Sequence, residues 1–153
     1  MAILSGFTFN FSKLNGFKMP KKYLCGILLL PFIYCAFVLC FVWWHCYKSP
    51  FQSGVNGQLD AYRHTLASAV VAYTTSPKVV ALITHMMERK SHAGSLMDRH
   101  NNYIGAQIGA KASSLNEVCE SVALQISQGT VNATDKNQTT WLPREYWRDG
   151  LLW

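Results

Sequence analysis

Apolar residues fall along this chain in three patterns: one unbroken run, then four amphipathic stretches, then an aromatic-rich tail. The run is Tyr23 to Trp44, YLCGILLLPFIYCAFVLCFVWW, twenty-two residues without an acidic or basic side chain. As a helix rising about 1.5 Å per residue it extends roughly 33 Å, enough to cross a hydrocarbon core of about 30 Å. Pro31 inside it is tolerable in lipid, where neighbouring groups can take up the freed carbonyl. Tyr23 at one end and Trp43 and Trp44 at the other occupy the positions of interfacial aromatics. The apolar core is longer than the roughly 7–15 residues of a signal peptide, and no small-x-small cleavage site follows. An uncleaved anchor over 23–46 is therefore expected.

Ser49 to Gly57 (SPFQSGVNG) is rich in turn residues, and 47–57 reads as a linker. From Gln58 to Thr75, Leu59, Tyr62, Leu66, Ala69, Val70 and Tyr73 recur at helical spacing. Ser76-Pro77 stops that helix and starts another, which carries the stripe Val79, Val80, Leu82, Ile83, Met86 and Met87 towards Ser91. A short connection at 91–95 precedes a third helix over Met97–Ser113. A fourth spans Ser114 to about Gln128, with Leu115, Val118, Val122 and Ile126 on one side and Gly129 as its stop. Thr130 to Thr140 is polar and turn-rich. The tail from Trp141 to Trp153 holds three tryptophans and is expected to pack back on the domain or lie on a bilayer surface. No strand alternation is present, so the fold class is all-α: one transmembrane helix followed by a compact domain of about four helices over 58–153.

Charge then gives the anchor a direction. Lys13, Lys18, Lys21 and Lys22 precede the run with no acid, whereas only Lys48 follows it before Arg63. The positive-inside rule places the N-terminus in the cytoplasm and the domain outside the cytoplasmic membrane, on its periplasmic or extracellular side. Residues 1–22 form a cytoplasmic leader, within which Met19-Pro20-Lys21-Lys22 has the look of a translation start. The net charge of +6 is no sign of nucleic-acid binding. With those four lysines set aside, ten basic residues face eight acids, which leaves the domain at about +2, without a basic stripe. The partners expected are a membrane and an envelope protein. Of the five cysteines only Cys119 lies in the domain, and no metal-knuckle spacing occurs.

The candidate chemistry sits on the first and third helices of the domain. Asp60 and His64 are four apart and share a face, opposite Leu59, Tyr62 and Leu66, that continues as Ala67 and Val71. On spacing alone, a surface i,i+4 pair beside a helix N-terminus accounts for them slightly better. In the third helix Asp98, Asn101, Asn102, Gly105, Gly109 and Ala112 fall in one narrow stripe. Two mid-helix glycines cost about 1 kcal/mol each against Ala, so they require a close neighbour in return. His100 points away from that stripe, and Glu88 faces away from its own helix's apolar side.

These residues carry a resemblance. Asp60-Ala61-Tyr62-Arg63-His64, then Glu88, then Met97-Asp98-Arg99-His100-Asn101-Asn102-Tyr103-Ile104-Gly105 resembles a bacterial family of uncharacterised small helical domains with D-A-[FY]-R-H and M-D-x-x-N-N-x-x-G motifs. The match covers Gln58 to Gly109, and it departs from the pattern in placing His85 three residues before Glu88. What it implies is a shared polar site. Under an enzymatic reading Asp60, His64 and Asp98 would hold a divalent metal, with His64, Asp98 and Glu88 as acid–base candidates. Arg63, Asn101 and Asn102 would then bind substrate oxygens. Hydrolysis of a lipid or cell-envelope substrate fits the expected topology. Under a binding reading the same groups tie the helices together by buried hydrogen bonds, and the domain serves an envelope or secretion partner. Ser91-His92-Ala93-Gly94 is also similar to a segment of goose-type lysozymes. Lys90 stands there in the place of the catalytic acid, so a glycosidase reading is set aside.

Overall fold

The computed structural model describes residues 21–87 and 92–149, with side chains from Leu29 onward. The protein is all-α. Its elements are α1 (Lys21–Lys48), α2 (Gln58–Thr74), α3 (Pro77–Met87), α4 (Ala93–Lys111) and α5 (Leu115–Ser127), followed by β1 (Thr130–Val131) and β2 (Thr140–Trp141). The chain divides into two compact units, Met1–Cys35 and Ala36–Trp153. Over Leu29–Lys48, α1 is long and apolar enough to cross a membrane. Tyr23, Cys25 and the leader with Met19 lie outside the residues whose side chains or backbone are described.

The centre of the second unit is α2. Its sequence shows two apolar stripes, and both are used: Ala61, Tyr62, Thr65, Leu66, Ser68, Ala69, Val70 and Ala72 are all buried. On one side α5 supplies the fully buried Val118, Val122 and Ile126, each of which removes about 1.5–3 kcal/mol worth of apolar surface from water. Phe51, from the segment after α1, packs its ring 5.0 Å from that of Tyr62. Val38 and Val42 on the last turns of α1 are buried, and His45 Nε2 lies 3.7 Å from Cys119 Sγ on α5. Cys119 is a free, half-buried thiol.

On the other side of α2 lies α4, and the two glycines of its stripe explain how closely. A Cβ on Gly105 would run into the backbone carbonyl of Thr65, and one on Gly109 into that of Ala69. Only hydrogen fits there. The helix begins at Ala93, earlier than the expected Met97, so Asp98 and the two asparagines lie inside it and do not cap it.

Two expectations are corrected. The apolar stripe of α3 is not its buried face. Val80 is buried with Ala72 and Ala106, while Leu82, Ile83, Met86 and Met87 are exposed. The helix is turned so that Val80 and Thr84 meet their neighbours, because a short helix packed on one side can bury only one edge of a stripe that wide. The second correction concerns Thr130–Thr140, read as strandless. Thr130 and Val131 pair in parallel with Thr140 and Trp141. A two-residue pairing carries no alternation that a sequence could display.

The tail folds back on the segment before α2. Val55 and Arg148 form a bridge with both backbone bonds made, and the N–H of Leu142 donates to Asn56 O at 3.0 Å. Trp147 lies against Gly54 and Gly57, where a Cβ at Gly57 would come within 2.9 Å of the indole. Residues 49–57 are thus held from both sides.

Candidate metal centre

Two helix N-termini in this fold use the same local device, and the difference between them isolates the site. At the start of α5, Ser114 caps the helix by accepting from the Glu117 N–H. Glu117 reaches back to accept the Ser113 N–H at 2.8 Å, a variant of the capping box displaced one residue outward. Its carboxylate is exposed and also accepts from the Ser113 hydroxyl. At the start of α2 the capping position is Gly57, which has no side chain to offer. Asp60 reaches back instead, and its Oδ2 accepts the Asn56 N–H at 2.6 Å. Asn56 holds φ at 66°, a left-handed conformation that Asn tolerates better than most residues. Unlike Glu117, Asp60 is buried, with 4% of its side chain exposed.

The other oxygen of Asp60 faces the candidate site. Oδ1 accepts from Arg63 Nη2 and lies 3.4 Å from His64 Nε2. On α4, Asp98 Oδ1 is also 3.4 Å from His64 Nε2. These three ligand atoms, Asp60 O, His64 N and Asp98 O, all lie within 4.8 Å of one another. Both 3.4 Å contacts are longer than ordinary hydrogen bonds. Asp98 Oδ1 is buried with no hydrogen-bond partner, an arrangement that costs about 1–3 kcal/mol or more for a charged group unless something else satisfies it.

The electrostatics follow from this crowding. Burial opposes ionisation of Asp60, but His64, Arg63 and the Asn56 N–H outweigh it and hold the carboxyl below its ordinary range. Burial also opposes charge on His64, and the Asp60 and Asp98 carboxylates reverse that, raising its basicity. Asp98 is pushed up to about 6, first by burial and then by the neighbouring Asp60, with His64 and Arg63 only partly offsetting them. One carboxylate is firmly ionised and the other holds a proton readily: two acids of the same type, separated by environment.

The amides of Asn101 and Asn102, expected to bind substrate, are hydrogen-bonded within the fold. The Asn101 amide is fully buried and taken up on both sides by Thr140: Nδ2 donates to its carbonyl at 2.7 Å and Oδ1 accepts its N–H at 3.0 Å. Asn102 Oδ1 accepts from Ser68 Oγ at 2.9 Å, and its Nδ2 donates to Thr84 Oγ1 at 3.3 Å. Asn101 ties α4 to β2, and Asn102 ties α4 to α2 and α3. His100 Nε2 meets the Gln138 carbonyl at 2.7 Å, away from the cluster. Glu88 lies outside the described residues. Asn56 was not singled out in the sequence, although the Asn-Gly pair ahead of an Asp three residues further on was a usable turn-and-cap signal.

Fold and site together define a class: an all-α domain with a helix able to cross a membrane and a His–carboxylate cluster shared by two helices. More particularly, the chain belongs to the family described as Domain of unknown function (DUF6973), whose model matches residues 45–136. That match takes in Asp60, Arg63, His64, Asp98, Asn101 and Asn102. No curated protein and no solved structure matches the chain.

Proposed function

We propose that Asp60, His64 and Asp98 bind one divalent metal ion and that the protein is a membrane-anchored hydrolase working on a lipid or cell-envelope substrate. The observation that carries the reading is that an imidazole nitrogen and two carboxylate oxygens lie within 4.8 Å of one another, one of the oxygens, Asp98 Oδ1, being buried with no hydrogen-bond partner. Ligands at about 2.1 Å from a tetrahedral ion stand about 3.4 Å apart, the separation found here for both carboxylates from His64. One nitrogen and two oxygens suit Zn²⁺ or Mn²⁺ better than a soft ion. Three protein ligands leave coordination positions for water and a substrate oxygen, as in hydrolytic metal sites, where the bound water loses a proton near neutral pH. The Asn56 N–H orients Asp60 from behind through Oδ2, as outer-shell groups do in such centres, while Arg63 bonds Oδ1, the oxygen that faces the site. In this reading α1 anchors the chain with the N-terminus in the cytoplasm and the domain outside.

The test is Zn²⁺ and Mn²⁺ titration of the full chain in neutral detergent, followed by metal analysis after desalting. About one ion per chain is expected, with His64→Ala losing it while its circular dichroism stays native. A wild-type chain that retains no ion, or a His64→Ala chain that unfolds, refutes the proposal.

One observation favours a second reading, in which the polar groups are structural and the domain serves an envelope or secretion partner. The Asn101 and Asn102 amides bond other parts of the fold, and Arg63 already pairs with Asp60. The exposed Leu82, Met86 and Met87 would then contribute to the partner surface.

A further inference from the structure

Arg63 borders two places at once. Its guanidinium bonds Asp60, and the residue also lines a cavity of about 280 Å³ between the end of α1, the segment 49–53 and the start of α2. Trp43, Tyr47, Phe51 and Leu59 supply its apolar walls, and Ser53 adds an exposed hydroxyl. The cavity therefore has largely apolar walls, the polar Cys46, Ser49 and Ser53, and one guanidinium that also pairs with Asp60. It lies at the end of the helix that is able to cross a membrane, beside exposed Trp44, Tyr47 and Lys48. Lys48 Nζ sits 4.1 Å over the Trp44 ring. Aromatic and basic side chains combined in this way are characteristic of the headgroup level of a bilayer.

We propose that this cavity binds the phosphate-bearing headgroup of a membrane glycerophospholipid, with Arg63 as its phosphate ligand. Size decides how much of the lipid enters. At about 280 Å³ the cavity falls just below the range of about 300 to 1,000 Å³ usual for small-molecule sites, so it takes no more than a glycerophosphate unit and leaves the acyl chains in the bilayer. A guanidinium carries five donors in a planar fork, which suits a phosphate as well as a carboxylate. The inference deepens the hydrolase reading by naming the substrate class. It rests on that reading for the chemistry, but the binding itself does not depend on a metal.

The experiment measures lipid retention by the full chain in neutral, phosphate-free detergent, using native mass spectrometry with dioleoylphosphatidylglycerol as the probe. One lipid per chain is expected to survive activation, equally before and after chelator treatment. That independence separates failure of the lipid site from failure of the metal site. Ser53→Trp, at an exposed position, should fill the cavity and reduce retention at least tenfold. Arg63→Lys, which keeps the charge but loses the fork, should reduce it several-fold. Equal retention of dioleoylglycerol, which has no phosphate, or no effect of Ser53→Trp, would overturn the proposal by showing annular lipid only. Displacement of the lipid by millimolar inorganic phosphate would overturn it too, by assigning the site to a free anion.

Discussion

His64 Nε2 stands 3.4 Å from Asp98 Oδ1 on a neighbouring helix and the same distance from Asp60 Oδ1 on its own. The imidazole is thus shared by a local carboxylate and a distant one, and of the two oxygens that face it only Asp98 Oδ1 lacks a hydrogen bond.

That arrangement fixes the sign of a pH dependence. Asp98 titrates at about 6 in the folded protein and near about 4 in an unfolded chain. Between those values the native state binds more protons, so metal-free stability should fall as pH rises from about 4 to 6. His64, also raised, works in the same direction, its contribution being lost as pH climbs through its folded value. Asp60, lowered, loses its contribution only as pH falls below the ordinary carboxylate range. Thermal unfolding of the full chain in chelator should show the decline. Asp98→Asn should flatten it, gaining on the order of 1–2 kcal/mol at pH 7 once solvent screening of a one-third-exposed group is discounted. With Zn²⁺ present the slope should reverse, since the ion takes the deprotonated ligands.

The Gly105 and Gly109 contacts are with backbone, which cannot rotate aside. Gly109→Ala should therefore destabilise the domain by about 2 kcal/mol or more through overpacking, despite a gain of about 1 kcal/mol in helix propensity. Chemical denaturation measures it, and a stabilised variant would mean that α2 and α4 do not approach so closely.

Asn101→Asp replaces the donor to the Thr140 carbonyl with a second acceptor in a fully buried position. A loss of about 3 kcal/mol is expected from the orphaned carbonyl and the buried acid together. Near-ultraviolet circular dichroism on heating should show it. Metal binding should disappear only together with the fold, which separates this tie from a ligand.

Trp147→Ala removes the indole that covers Gly54 and Gly57 and donates to the Leu142 carbonyl at 2.6 Å. Backbone amides at Val55 and Asn56 should exchange faster. With the Asn56 N–H no longer held against Asp60, Zn²⁺ affinity should fall about 10–100-fold, as when other outer-shell partners are lost. Exchange that quickens without any change in affinity would separate Asn56 from the site.

Apolar patterning and the Ser76-Pro77 breaker determined the helices, though not the short β1–β2 pairing: the uncharged run that becomes α1, the four helices after it, and the stop between α2 and α3. Those features are local, because a backbone's helical preference and the apolar face of a helix are written within a few turns of sequence. The grouping of Asp60 with His64 was legible for the same reason, being four residues apart on one helix. The glycine stripe on α4 announced a close neighbour without saying which helix it was. Tertiary packing decided the rest. It buried both stripes of α2, left most of the α3 stripe exposed, and set Asp98 beside His64. It also drew Asn101 to Thr140 and Asn102 to Ser68. Each of these depends on what lies opposite a face, and a single helix carries no record of its partner. Periodicity identifies a surface that can be covered; the chain's return path determines what covers it.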